Sequence, residues 1–145
     1  MSKQSDGMVG GRVIASRLST TKSITSAVTA LVVCIGLFIW LNSLGLRLIR
    51  GVKTGHPHDY PGITYEDAFS KFYDNPKWEN ASSGDRKVVR FSGECQFNGE
   101  RAKVVLNYKI QGDEFRLDSG TVNGEEAVPL VLYWLDRQPF EIYKK

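Results

Sequence analysis

In 145 residues the chain carries 19 Lys and Arg against 16 Asp and Glu, but this small positive balance is unevenly placed. Residues 1–53 hold seven cations (Lys3, Arg12, Arg17, Lys22, Arg47, Arg50 and Lys53) and one anion, Asp6, whereas residues 54–145 hold 12 Lys and Arg against 15 Asp and Glu, a net charge of −3. That acidic majority argues against a nucleic-acid-binding domain, which needs a basic surface, and its single cysteine, Cys95, excludes an internal disulfide framework.

Residues 1–22, rich in Ser, Thr and Gly, read as a flexible cytoplasmic tail. Gly10-Gly11 within it lacks the strand–helix context of a phosphate loop. Residues 23–49 are expected to form a transmembrane helix. The uncharged run Ser23–Leu46, bounded by Lys22 and Arg47, spans about 36 Å as a helix, against about 30 Å of hydrocarbon. It is longer than a signal-peptide core and no A-x-A cleavage pattern follows it. Leu31-Val32-Val33 before Cys34 does not resemble a lipoprotein processing site. Trp40 and Asn42 suit the far interface, and Ala30 with Cys34 offers a small-residue face. Four cations precede the run and three follow it closely, which leans toward a cytoplasmic N-terminus.

Residues 50–62, with Pro57 and Pro61, read as a linker, and residues 63–145 as one soluble α+β domain. Thr64 can cap a helix, with Asp67 three residues on. Tyr65, Ala68, Phe69, Phe72 and Tyr73 give that helix an apolar face, and Asn75-Pro76 is expected to end it. A short strand over Lys77–Ala81 leads to a turn at Ser82–Asp85. From Lys87, Val89, Phe91, Gly93, Cys95 and Phe97 alternate with Arg90, Ser92, Glu94 and Gln96, the pattern of a half-buried strand. Asn98-Gly99 supplies a hairpin turn, and the return strand puts Ala102, Val104, Leu106, Tyr108 and Ile110 on one face. After Gln111-Gly112-Asp113, Glu114–Val122 forms a further strand, with Phe115 and Leu117 apolar and Arg116 and Asp118 exposed. Asn123-Gly124 closes it. Glu125 and Glu126 are expected at the positive end of a short helix over Leu130–Leu135 that Pro129 opens. Phe140–Tyr143 adds an edge strand or docks on the core. The expected fold is α+β: an N-terminal transmembrane helix, then a helix, an antiparallel meander of about four strands, and a short C-terminal helix.

Few residues carry chemistry. His56-x-His58-Asp59 is the one cluster of metal-ligand character, but it falls short of the four ligands of a stable zinc site. The pairs Glu66-Asp67 and Glu125-Glu126 fit helix starts better than acid–base catalysis. Ser82-Ser83-Gly84-Asp85 lacks a nucleophile elbow, Asn80-Ala81-Ser82 matches a glycosylation acceptor, and Cys95 reads as a small buried hydrophobe. Trp78, Tyr108, Tyr133 and Trp134 are the candidate partner-contact residues, although a small domain also needs its large aromatics for packing.

Tyr60, Pro61, Thr64, Ala68, Phe69, Phe72, Tyr73, Asn75, Pro76 and Trp78, followed by Val89-x-Phe91-x-Gly93, resemble a recurrent bacterial pattern. In it a single membrane anchor leads into a small extracytoplasmic α+β domain of unknown function. The resemblance covers the domain of roughly 90 residues, a usual size for one compact core. Some members carry a zinc ribbon before the anchor; this chain has no C-x-x-C there. The resemblance implies an extracytoplasmic, non-catalytic domain and marks the matching residues as fold determinants.

The resulting expectation is a non-enzymatic, single-pass inner-membrane protein without cofactor or metal. It meets the lipid bilayer through residues 23–49, keeps its N-terminus in the cytoplasm, and binds another membrane or envelope protein rather than nucleic acid. The alternative is a small-ligand sensor or inhibitor domain with a pocket between helix and sheet. An enzyme would require a cleft joining His56, His58 and a carboxylate.

Overall fold

The computed structural model describes residues 17–145, with side chains from Ser26 onward. The expectations for Gly10-Gly11 and most of the tail lie outside the described residues. The chain divides into two compact units at Asn42/Ser43, a boundary that falls within the first helix, α1 (Arg17–Thr54).

In the first unit α1 is apolar all round and exposed: Leu31, Val32, Leu37, Phe38, Ile39 and Trp40 all face outward. A helix without a polar face is stable in a core or in lipid. The stretch Ser26–Thr54 is long and apolar enough to cross a membrane. Asn42, near the end of this unit, returns its amide to the Phe38 carbonyl at 2.8 Å.

The second unit begins with the last turns of α1. Leu48 and Ile49 pack on the core, and Val52, only 1% exposed, lies within it. The helix therefore continues through residues 50–54, which had read as linker, because an apolar residue one turn beyond Leu48 has a core to enter. Gly55 ends it, its N–H on the Gly51 carbonyl at 3.2 Å.

Helix α2 (Tyr65–Phe72) starts as expected. The Asp67 N–H donates to Thr64 Oγ1 at 3.1 Å, and that hydroxyl donates to Asp67 Oδ2 at 2.7 Å. It stops at Tyr73, before Asn75-Pro76, because strand β1 (Asp74–Asn80) already begins there. Asn75 adopts φ +51° and the register shifts between Asp74 and Lys77. Pro76 is thus accommodated where a sheet tolerates it, at a bulge on an edge strand.

Strands β2 (Val88–Phe97) and β3 (Glu100–Gln111) form the hairpin expected around Asn98-Gly99, both at positive φ. Strand β4 (Glu114–Val122) follows antiparallel to β3, with a bulge opposite Asn107/Tyr108. A fifth strand, β5 (Glu125–Glu126), closes the order β1-β2-β3-β4-β5. Glu125 and Glu126 therefore pair with Val122 and Thr121 instead of starting a helix. The C-terminal helix α3 (Pro129–Tyr143) has no acidic residue in its first turn and is much longer than Leu130–Leu135.

Pro139 lies inside α3 and lacks the N–H that would bond the Leu135 carbonyl. The buried Tyr73 hydroxyl donates to that carbonyl at 2.8 Å. The freed acceptor is satisfied from another element, so α3 continues and carries Phe140 into the core instead of yielding an edge strand. Both α2 and α3 cover one face of the sheet, the α+β arrangement expected. Phe69, Phe91, Leu106, Tyr108, Leu135 and Phe140 are the largest side chains sealed between the layers.

A groove between the β4 edge and the C-terminal helix

The four candidate contact aromatics part company. Trp78 pairs across from Phe91 on the inward face of the sheet, is half-buried, and stacks on Phe69 with ring centres 5.7 Å apart. Tyr108 is fully buried, and its hydroxyl donates to Asp136 Oδ1 at 2.7 Å. It is removed from the contact surface because its place in β3, in step with Leu106, turns it into the core. Tyr133 (62% exposed) and Trp134 (37% exposed) remain outside, on consecutive positions of α3. Trp134 also packs edge-on against Phe97.

The other singled-out residues have local roles. Asp67 accepts a hydrogen bond from the capping Thr64 hydroxyl, and Glu66 pairs with Lys53 at 2.7 Å. Ser82 closes its turn: its hydroxyl donates to Asn80 Oδ1 and accepts from the Val88 N–H. Asn80 lies so near Gly45 that a Cβ there would come within 2.9 Å of its amide nitrogen. Cys95 is buried, and burial pushes its thiol pKa up.

Among the described residues there is a groove of about 950 Å³. One wall is the end of α1 and the segment after it, through Gly51, Thr54, Gly55, His56 and His58. The second is β4 from Glu114 to Asp118, and the third is α3, through Pro129, Leu132, Tyr133, Asp136 and Arg137. Gly55 lets two walls meet: a Cβ there would lie 2.5 Å from the Phe115 ring. The chain between α1 and α2 is held against α3 by Tyr60, which donates to Glu141 and stacks on Phe140 at 5.4 Å. Arg137 adds a contact to Asp59 at 3.4 Å.

His56 and His58 thus share the groove with Asp136. Among the described residues, no group of three or more His, Cys, Asp or Glu side chains is placed to hold a metal. Asp136, 7% exposed, is the one charged residue type buried among the described residues. Burial pushes its pKa up, opposed by the Tyr108 hydrogen bond and by Arg137, whose Nε lies 3.8 Å from Oδ2. Tyr65, at the floor of the groove, has its own pKa raised by burial and then by the Asp136 charge.

The β4 wall is an open sheet edge. β5 pairs only with Thr121 and Val122, and the Ala127 N–H takes the Gly120 carbonyl. Among the described residues no strand lies beside Glu114–Ser119 on the outer side. The two-residue turn at Gly112-Asp113 makes Gln111 and Glu114 the first mutually hydrogen-bonded pair. Alternation then turns the N–H and C=O groups of Phe115 and Leu117 outward. Sequence reading had marked Phe115, Leu117 and Arg116 as alternating strand residues, but it missed the groove. The available signal was Asp136, an acid directly after the apolar run Leu130–Leu135.

No family model matches the chain, and neither a curated protein nor a solved structure is similar to it.

Proposed function

We propose that this chain is a membrane-anchored, non-enzymatic binding module that takes up an extended segment of another envelope protein as an added strand along β4. The carrying observation is the unpaired outer edge of Glu114–Ser119 alongside the groove. An edge strand beside a groove and a helix supplies main-chain hydrogen bonds for affinity and side-chain subsites for selection. Tyr133 extends the groove with exposed aromatic surface, and an aromatic of this kind is a frequent anchor of binding energy. The apolar helix and the resemblance of residues 60–78 to anchored bacterial domains support a single-pass inner-membrane protein with this domain outside the cytoplasm. Anchoring raises the local concentration of a weak binder near its partners.

Two measurements test this. Ser5→Cys and Asp113→Cys, in a background lacking Cys34 and Cys95, are labelled in intact cells with an impermeant thiol reagent. Labelling at position 113 alone is expected; labelling at position 5 alone refutes the location. For binding, a photo-crosslinking residue at Glu114 is compared with one at Glu79 on the opposite sheet edge. Crosslinks to an envelope protein at 114 and none at 79 are expected. Equal yields at both positions overturn the assignment to β4.

A small-ligand reading draws on the same groove, whose volume lies within the range of about 300–1,000 Å³ usual for ligand pockets. Saturation of the groove by a small molecule that leaves the crosslinks unchanged would favour it.

A further inference from the structure

Resting on the strand-addition reading, we infer that the captured segment presents an acidic side chain opposite Arg116, flanked on both sides by apolar residues. On the open face of the sheet, Arg116 stands directly across from Lys109, and Arg90 lies on β2, two residues on from Val88, the residue opposite Lys109. Like charges directly opposite in a sheet repel. Three other cations of the domain are ion-paired: Arg86 with Asp118, Arg101 with Glu94, and Lys77 with Glu79. Arg116 and Lys109 have no ion-pair partner among the described residues, whereas Arg90 donates to Asn107 Oδ1 at 3.1 Å and stands across from Glu79 on β1.

Arg116 is the outermost of these cations and borders the open edge, so a strand that docks there is placed to supply it with an anion. Phe115 and Leu117 hydrogen-bond the incoming strand, so in an antiparallel addition the residue facing Arg116 occupies a non-hydrogen-bonded position. Facing side chains approach most closely at such positions. The residues on either side of that acid turn to the other face, toward the groove, where Pro129, Leu132 and Tyr133 offer apolar and aromatic surface beside Asp136 and Arg137.

The test pans a library of random eight-residue peptides on the full chain in lipid nanodiscs, in parallel with Arg116→Glu. Arg116 is exposed, and thermal unfolding checks that its variant remains folded. Selected peptides are expected to carry Asp or Glu between two apolar residues on the native chain, and Lys or Arg there on the variant. A synthetic selected peptide is expected to bind Arg116→Glu roughly tenfold more weakly, and methylating its backbone amides is expected to abolish binding. If methylation abolishes binding but the central position shows no charge preference, strand addition stands and the acidic selection is overturned. If nothing is selected, or methylation leaves binding unchanged, strand addition fails and the inference falls with it.

Discussion

The two edges of the sheet are built in opposite ways. β1 carries Pro76, a register shift, Asn75 at positive φ, and Lys77. These are the devices by which a sheet refuses a further strand, since proline cannot donate and a bulge breaks the ladder. β4 has no proline, and although it carries a bulge at Asp118, opposite Asn107/Tyr108, Glu114–Leu117 is regular. Its far half is covered by β5, and its near half is left open beside a groove. A fold that blunts one edge so thoroughly has the means to blunt the other, and the contrast makes the open half of β4 the place to look for a partner.

The strongest way to break this contrast is to close the groove from within. Gly55→Leu drives a side chain into the Phe115 ring, and it is expected to cost about 3 kcal/mol of stability, by thermal unfolding, and to remove peptide binding. Next is the root of the closed edge, where Tyr73 precedes β1. Tyr73→Phe leaves the Leu135 carbonyl without its partner, at a cost of about 2 kcal/mol. Pro139→Ala restores an N–H to that carbonyl, so the double variant is expected to lose much less than the sum of the two. Additive losses would show that the hydroxyl serves some other purpose.

A smaller effect on stability, less than about 1 kcal/mol, is expected for Pro76→Val. Its consequence appears instead as self-association in light scattering, because β1 then becomes a usable edge. Unchanged scattering would mean that the bulge alone protects β1. The smallest effect concerns Asp136 at the groove floor. Its raised pKa means that the unfolded chain releases this proton first, so its stabilising contribution is full at acid pH and is lost as pH rises through the folded-state value. Asp136→Asn keeps an acceptor for Tyr108 and is expected to flatten that decline in a series of melting temperatures against pH. A decline as steep as the native one would assign it to other groups.

Much of the domain was legible because its signals are local. The Thr64 cap, the alternation of Val89–Phe97 and the Asn98-Gly99 turn each fix structure within a few residues. The same alternation already placed Tyr108 beside Leu106 on the inward face, so offering it as a contact residue set composition above register. Three features could not be read locally. Val52 is helical and buried because a sheet far along the chain receives it. Helix α3 passes Pro139 because Tyr73 supplies the missing donor. The groove exists only where Gly55, Phe115, Leu132 and Asp136, distant in sequence, meet.

The Tyr73 hydroxyl on the Leu135 carbonyl also bears on how such a chain can evolve. The hydroxyl at 73 offsets the donor that proline removes at 139, and it has this task only while proline stands there. A lineage that loses the tyrosine first passes through a less stable intermediate, whereas one that loses the proline first does not. In descendants of this chain the proline is therefore expected to be replaced before the tyrosine.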